Sequence, residues 1–338
     1  MKTTELLRRL TAAPSAPGTE SPAADAIREA LEGVADRFET DTLGNLKAIV
    51  NENAADGVIL LAHMDKIGCI VTGIDEETGF LRIDKCGGFD ARVAPALRVT
   101  VLGQRPLPGV IISTPPHLAS PDSADKATPL DKLGVDCGLP YDEIRTLVFP
   151  GDRILTDAPF FELNENRVCG PYLDDCAGVA ALIRCAELVK TAGRGRRLEC
   201  VFTTREEVGG QGSAAACFST TANTAVAVDV SFAKAPGLPE TVDAALGGGV
   251  MIGYAPVLHK ALSDKFKALA KERNIPYTVE IMGRSTGTDA DEALTAAGGK
   301  VTGLLSIPIR NMHTPVEIAD VRDIEATGDL LAALILSE

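Results

Sequence analysis

The sequence contains no tryptophan, and aromatic residues make up only 4% of it. Sugar rings generally stack on aromatic side chains, and glycoside hydrolysis needs paired carboxylates but no metal ligands, so a glycoside hydrolase is not favoured. Positive charge is also scarce, because 33 Lys and Arg residues face 47 Asp and Glu residues, for a net charge of −14 at pH 7. Nucleic-acid-binding proteins gain most of their affinity by neutralising phosphates. The charge balance therefore argues against nucleic acid, and against an anionic membrane surface, as a partner.

Long apolar runs are missing as well. No window of 18 or more uncharged apolar residues occurs, so no segment is expected to span a bilayer. Residues 1–9 lack an apolar core and predict the start of a helix, not a signal peptide. The eight cysteines form no Cys-x-x-Cys pair, and several lie within apolar runs. We therefore expect reduced thiols and a cytoplasmic protein.

What the chain does contain is typical of a folded protein with two domains. Of its 338 residues, 45% are hydrophobic and 24% are charged, which excludes a disordered chain. Strand-like and helix-like segments alternate over 1–66 and 159–338, which favours a mainly parallel sheet with helices on both faces. Between 67 and 158, short apolar runs are separated by Gly, Pro and Asp. The sequence therefore predicts an α/β domain interrupted by a β-rich insertion at 67–158.

The periodicity gives bounds for individual elements. The predicted core strands cover residues 46–50, 58–62, 198–204 and 224–230. The predicted helices cover residues 22–36, 258–273, 321–336 and a segment that includes 177–189 and stops at Gly193. The predicted short strands of the insertion cover residues 69–72, 80–83, 98–102, 109–113 and 146–149.

Potential metal ligands stand at the ends of these strands, where open α/β sheets place their binding sites. His63 closes the strand at 58–62, and Asp65 follows two residues later, where a carboxylate can orient a ligating imidazole. Asp174 and Asp175 stand directly before a helix. Asp175 has a simple explanation as a cap for the free N–H groups of that helix. Asp174 then points elsewhere, and its two oxygens could bridge two cations.

Three further candidates follow along the chain. Glu206 and Glu207 come after a buried strand and before two glycines, a context that disfavours a solvated charge run. Two acids in one site can divide the work, because one can bind metal while the other transfers a proton. Asp229 ends an apolar run and is costly to bury without a cation or a hydrogen-bond donor. His313 is the last candidate.

The combined set is more informative than any one member. Two of the chain's four histidines fall in this pattern of acids. Histidine with several carboxylates is the ligand set of a hydrolytic zinc, cobalt or manganese site. The other two histidines, His117 and His259, lack acidic companions, and we interpret them as structural or surface residues.

These motifs, in this order, resemble the tetrahedral (TET) aminopeptidases of peptidase family M forty-two. The resemblance covers essentially the whole chain. The insertion segments 108–111 and 115–118 are similar to the family's inserted β domain. The motifs that carry the resemblance are His63-Met64-Asp65, Leu173-Asp174-Asp175, Glu206-Glu207-Val208-Gly209, Val228-Asp229-Val230, Gly287-Thr288-Asp289-Ala290 and Met312-His313-Thr314-Pro315.

The resemblance implies a fold and an activity. The fold would be a three-layer α/β/α zinc-exopeptidase-like catalytic domain, in parts 1–66 and 159–338, with a PDZ-like or barrel-like dimerisation domain at 67–158. The activity would be that of a metal-dependent aminopeptidase that uses two divalent ions per subunit, zinc, cobalt or manganese. Its substrate would be a peptide with a free N-terminus. A homo-oligomer is expected, and the family commonly forms dodecamers.

The resemblance also implies the metal ligands. His63 and Asp229 would hold one ion. Glu207 and His313 would hold the other, and Asp174 would bridge the two.

Two auxiliary roles complete the implied site. Asp65 would orient His63, and Glu206 would be the general base. In related enzymes the peptide bond between the bridging Asp and the next residue is cis, so we expect the same at Asp174–Asp175.

The chain departs from the family's pattern close to this site. Lys66 stands where an acid is common, Cys176 where many relatives have Arg, and Asn311 where an aromatic residue is frequent. None is an implied ligand, but substrate preference cannot be transferred from a relative. Arg284, in a glycine-containing segment, could pair with an acidic substrate side chain or simply be solvated.

Two alternatives to an aminopeptidase remain open from sequence. A related two-metal amidase, deacylase or carboxypeptidase-like hydrolase would share the ligands but recognise a free carboxylate. A non-catalytic assembly protein would be expected to have lost ligands, yet all five are present.

Overall fold

The computed structural model describes residues 1–115, 118 and 126–337, so His117 lies outside the described residues. The β-strands are β1 (Arg37–Thr40), β2 (Leu46–Val50), β3 (Gly57–His63), β4 (Gly68–Ile74), β5 (Leu81–Cys86), β6 (Arg98–Leu102), β7 (Pro106–Ile112), β8 (Gly134–Asp136), β9 (Arg153–Thr156), β10 (Phe161–Glu162), β11 (Arg167–Gly170), β12 (Arg197–Thr203), β13 (Thr224–Phe232), β14 (Val250–Tyr254), β15 (Tyr277–Ile281), β16 (Val301–Arg310) and β17 (Glu317–Asp320). The α-helices are α1 (Thr3–Ala12), α2 (Ser21–Ala30), α3 (Tyr141–Ile144), α4 (Leu173–Ala192), α5 (Gln211–Ser219), α6 (Lys260–Arg273), α7 (Asp289–Thr295) and α8 (Val321–Leu336).

Most strands belong to one large mixed sheet, in the order β1-β2-β12-β3-β13-β16-β17-β11-β10, with β14 paired to β16 and β15 to β14. Its four central strands, β12, β3, β13 and β16, are parallel. The strands at both ends of that order are antiparallel, because short connections such as the one from β16 to β17 can only reverse the chain. The predicted parallel sheet is therefore found at the centre, whereas both ends of this strand order are antiparallel.

Helices cover both faces of the sheet. Every residue of β3 is buried, as its uninterrupted apolar sequence indicates. On one face, Leu7 of α1, Phe266 of α6 and Leu331 of α8 pack in one core with α2 and α4. On the other face, α5 and α7 contribute Ala216 and Ala290 to a smaller core. The predicted three-layer α/β/α architecture is confirmed.

The segment between β3 and β10 forms a separate closed barrel in the order β4-β5-β8-β7-β6-β9. Its interior is a core of its own, which includes Leu81, Val101 and Val135. Strands β4 and β9, the first and last of the barrel, pair with each other, so the chain enters and leaves the barrel side by side.

One predicted barrel strand, at 146–149, is wrong. A helical turn at Tyr141–Ile144 continues into local turn hydrogen bonds, including one from the Thr146 hydroxyl to the Glu143 carbonyl. The apolar side chains of this run still reach the barrel core, because Val148 is buried within it. An apolar run predicted burial correctly here but not the backbone conformation.

In the described part of the chain, no helix combines the length and apolar character that a bilayer crossing demands. All eight cysteines are free thiols, and seven of them are buried.

Candidate metal centre

The central parallel strands bring the first two candidates together. His63 is the last residue of β3, and Asp229 lies near the end of β13. The two strands pair in parallel with Leu61 opposite Ala227, and each candidate lies two residues beyond that pair. Residues two apart share a face of the strand, so His63 and Asp229 project from the same face at the same level.

Asp174 lies between the two histidines. Its Oδ1 is 3.0 Å from His63 Nε2, and its Oδ2 is 3.1 Å from His313 Nε2. The carboxylate is buried at the start of α4, and the Asp174–Asp175 peptide bond is cis. Each oxygen of one carboxylate therefore faces a different imidazole.

Two trios of potential ligand atoms result, and they share Asp174. His63, Asp174 and Asp229 form the first, and Asp174, Glu207 and His313 form the second. Within each trio, one ligand atom per residue can be chosen so that all lie within 4.8 Å of one another. The structure thus brings together all five residues that the sequence singled out as ligands.

Asp65 acts on two neighbours through different atoms. Its backbone carbonyl lies 2.9 Å from His63 Nδ1, whereas its Oδ1 is 3.7 Å from the same nitrogen. Its carboxylate instead accepts the backbone N–H groups of Glu206 at 2.9 Å and Glu207 at 3.1 Å. The main chain of Asp65 orients the imidazole, and its side chain fixes the two glutamates.

Two further acids support the site without belonging to either trio. Glu317, which the sequence analysis missed, accepts the N–H of Asp174 at 3.0 Å and the N–H of His313 at 2.8 Å. Asp175 accepts the N–H of His63 at 3.3 Å and that of Gly178 at 2.9 Å. The second contact matches its predicted role at the helix start. Glu317 follows the candidate His313 by four residues, a spacing that could have pointed to it, whereas its other donor, Asp174, comes from a distant segment.

The electrostatics of the site show an excess of buried negative charge. Burial, reinforced by neighbouring acids, raises the pKa of Glu206 to about 7 and that of Glu207 to about 8. Burial and the Asp175 carboxylate raise the pKa of Asp229 well above its usual value. Clustered carboxylates of this kind are poorly accommodated without cations.

The carboxylate between the imidazoles behaves differently. Burial disfavours the charge of Asp174, but hydrogen bonds with His313 and His63 lower its pKa overall. The same hydrogen bond with Asp174 raises the pKa of His313 to about 9. The nitrogen and oxygen donors are those that zinc, cobalt and manganese prefer, so the donor set and its surplus of acids fit divalent metal ions.

The departures from the family pattern stay outside the trios. Lys66 is buried, but its ammonium turns away from the acids and donates to the carbonyls of Leu10 at 2.8 Å and Thr11 at 3.1 Å. Asn311 has a φ of 58°, a conformation that Asn adopts more readily than an aromatic residue. Cys176 is buried in α4. His259 precedes α6 and belongs to neither trio.

The barrel also reaches the site. Phe89 and Thr156 line the same cavity as Asp174, Glu207 and His313. The backbone oxygen of Gly88 lies 3.2 Å from His313 Nδ1.

A family model described as M42 glutamyl aminopeptidase matches residues 44–330 of this chain. The chain belongs to this family. The lysyl aminopeptidase of Pyrococcus furiosus is 34% identical over 98% of the chain and 96% of its own length. The TET aminopeptidase of the sediment archaeon Thaumarchaeota archaeon SCGC AB-539-E09 superposes with a TM-score of 0.93, covering 99% of this chain and 97% of its own at 26% identity. The TET1 peptidase of Pyrococcus horikoshii superposes with a TM-score of 0.88 at 31% identity, and the match covers 100% of both chains.

The family settles the activity that the sequence predicted. The enzyme is an aminopeptidase, a hydrolase that releases N-terminal residues from peptides. Its family is metal-dependent, and the two trios are its candidate metal-binding groups. The deacylase, carboxypeptidase-like and non-catalytic alternatives are not favoured.

Proposed function

We propose that the enzyme works with two divalent metal ions, zinc, cobalt or manganese. His63 and Asp229 hold one ion, Glu207 and His313 hold the other, and Asp174 is shared. The observation that carries this proposal is the placement of the Asp174 oxygens at 3.0 Å from one imidazole and 3.1 Å from the other. A carboxylate in that position can serve both ions at once.

Glu206 is the general base of this proposal. It belongs to neither trio, and its Oε2 lies 4.0 Å from His63 Nε2, so its carboxylate stays at the edge of the ligand set. Asp65 fixes its backbone. When bound, the ions polarise the scissile carbonyl and acidify a water molecule. Glu206 accepts the proton of that water and delivers it to the departing amine, a role that suits a carboxyl with a pKa of about 7.

The surrounding acids explain recognition of the substrate's N-terminus. A free α-amino group is a cation, and the site offers it several buried carboxylates. The side chain of the first residue is a separate matter. The matching family is described as glutamyl, whereas the Pyrococcus furiosus relative is a lysyl aminopeptidase. These two descriptions refer to N-terminal side chains of opposite charge.

The organisation of the whole protein extends this proposal. The catalytic domain comprises residues 1–66 and 159–338, and the insertion at 67–158, whose barrel strands run from Gly68 to Thr156, serves in dimerisation. Pyrococcus horikoshii TET1 assembles into a tetrahedron or a large octahedral shell. We expect this enzyme to form a homo-oligomer too, with twelve subunits. The eight free thiols favour a location in the cytoplasm. Elution as a monomer in size-exclusion chromatography with light scattering would contradict the assembly.

The central experiment measures hydrolysis of aminoacyl-p-nitroanilides by metal-stripped protein after addition of Zn²⁺, Co²⁺ or Mn²⁺. The wild-type protein should regain activity with metal, whereas Glu206→Gln should bind the ions but lose about 10²–10⁴-fold in kcat. Glu76→Gln, on an exposed turn, is the matched control. Full activity after exhaustive chelation, or in Glu206→Gln, would refute the mechanism.

A further inference from the structure

The carboxylate of Glu280 lies outside the two trios, on the edge of the large sheet. Glu280 belongs to β15, which pairs only with β14 among the described strands. Its Oε2 accepts the hydroxyl of Ser306 at 2.7 Å, and its Oε1 accepts the hydroxyl of Ser231. Ser306 is fully buried, whereas Glu280 itself is partly exposed. The carboxylate is therefore held in one orientation by a residue that is only partly buried.

The two serines connect Glu280 to the metal centre. Ser306 is paired directly with Asp229 on the neighbouring parallel strand, and Ser231 follows Asp229 by two residues. Paired residues, and residues two apart, project from the same face of a sheet. Met251 pairs with Ser306, and Glu280 pairs with Gly253, two residues further along β14. Glu280 therefore shares the face from which Asp229 projects, and neighbouring strands are about 4.8 Å apart.

The charge of Glu280 is not compensated by the protein. Within residues 1–115, 118 and 126–337, no lysine, arginine or histidine forms an ion pair with it. Its two hydrogen bonds come from neutral hydroxyl groups. An ionised carboxylate has about four lone-pair sites. Two hydroxyl donors therefore leave acceptor positions for a cation from outside the chain.

We propose that Glu280 binds the cationic side chain of the substrate's N-terminal residue and makes the enzyme selective for Lys and Arg. This inference rests on the proposed function, which places the substrate's α-amino group among the buried carboxylates of the metal centre. The flexible four-carbon stem of Lys carries its ammonium away from that point toward the next carboxylate along the sheet. A negative side chain of the substrate would be repelled by Glu280, and an apolar one would leave its charge without a partner.

Arg284 would favour the opposite substrate charge, so it serves as an internal control for the role of Glu280. It is exposed, lies four residues after Glu280, and forms no ion pair among the described residues. If Arg284 selected the substrate, the enzyme would prefer an N-terminal Glu. The two residues therefore predict opposite rankings of the same substrates.

The test compares the kcat/KM of Lys- and norleucine-p-nitroanilide for the metal-loaded enzyme. Norleucine retains an unbranched apolar side chain but lacks the ammonium group. The wild type should prefer Lys by about tenfold to hundredfold, the usual effect of a hydrogen bond to a charged group. Glu280→Gln should bring that ratio close to one while norleucine turnover persists, and Arg284→Gln should leave it unchanged.

Several outcomes would overturn the inference. One is an unchanged Lys to norleucine ratio in Glu280→Gln; another is a wild-type preference for Glu-p-nitroanilide that Arg284→Gln removes. Failure of the proposed function looks different, because then no free-amine substrate is cleaved by any variant. If Glu280→Gln does not fold, inhibition of wild-type Leu-p-nitroanilide hydrolysis by L-lysine and L-norleucine decides. Lysine must be the stronger inhibitor for the inference to stand.

Discussion

Asp289, a buried residue near the site, has a pKa that its surroundings raise. It is the first residue of α7 and is buried. One of its oxygens accepts the hydroxyl of Thr203, and within the described residues the other has no hydrogen-bond partner. Burial raises the pKa of Asp289 to about 6 from an ordinary value of 3.8. The folded protein therefore binds this proton more tightly than the unfolded chain does.

A pH dependence of stability follows for the metal-free protein. Between pH 3.8 and about 6, the unfolded chain gives up the Asp289 proton while the folded chain keeps it. Rising pH therefore lowers the free energy of unfolding of the wild type relative to Asp289→Asn, by at most about 1.4 kcal/mol per pH unit. Urea unfolding of both proteins at pH 4, 5, 6 and 7 measures this difference. If the free energies of unfolding of the two proteins changed in parallel with pH, the raised pKa of Asp289 would be contradicted.

Residues that come together in the structure could be predicted from the sequence wherever the local context was informative. His63, Asp174 and Asp229 stood out because each follows or precedes a buried element, and the family motifs supplied their roles. Glu317 and Glu280 did not stand out. Glu317 contacts Asp174 and Glu280 contacts Ser306, partners far away in the chain that no local spacing encodes.

At the level of elements, the loop after β5 couples the barrel to the metal centre. Gly88 lies so close to His313 that a Cβ atom at this position would overlap the imidazole ring. Packed interiors do not absorb an added methyl group next to a fixed ring without displacement. Glycine is therefore required here by the close approach.

Gly88→Ala should consequently impair catalysis more than folding. We expect weaker metal binding at the His313 side and a loss of about 10–100-fold in kcat/KM, as when a contact that orients a ligand is removed. Gly283→Ala is the matched control, because an added Cβ there meets no atom within 4 Å. Metal titration with a competing chelator, together with kinetics, measures both variants. Wild-type metal affinity in Gly88→Ala would disprove this role.

Element prediction succeeded where hydrophobic periodicity coincided with a clear stop signal. α4 ends before Gly193, which adopts the left-handed conformation expected of a helix terminator. The strand at 46–50 and the helix at 321–336 also have their predicted bounds. β16 was not predicted from the sequence, although it is ten residues long. Its run contains Gly303 and Pro308, which weaken a strand signal, and its pairing with β13 overrides them.

For the whole molecule, the clustered acids of the metal centre couple metal binding to the stability of the fold. Clustered carboxylates repel one another in the metal-free state, and cations relieve that repulsion. Adding Zn²⁺ to stripped protein should therefore raise its Tm, since free ligand at 100 times its Kd contributes about 2.7 kcal/mol per site. Differential scanning calorimetry measures the shift, with Asp174→Asn as the variant that should respond less. An equal shift in both proteins would place the ion elsewhere.

The architecture as a whole was readable because composition changes along the chain. Gly, Pro and Asp between short apolar runs indicated a β-rich insertion, and the structure contains a closed barrel there. The mixed character of the large sheet was not readable, because strand direction depends on how short connections reverse the chain.

The pairing of β4 with β9 has a consequence for how such enzymes can diversify. Because the barrel's two ends emerge as neighbours, its connection to the catalytic sheet is equivalent to that of a long hairpin. A module attached in this way can be enlarged, shortened or exchanged without altering any strand order in the host, as at other insertion points with adjacent ends. The contact of Gly88 with His313 sets a condition. Any replacement domain must supply a backbone group at that imidazole, so the inserted domain cannot change independently of the site.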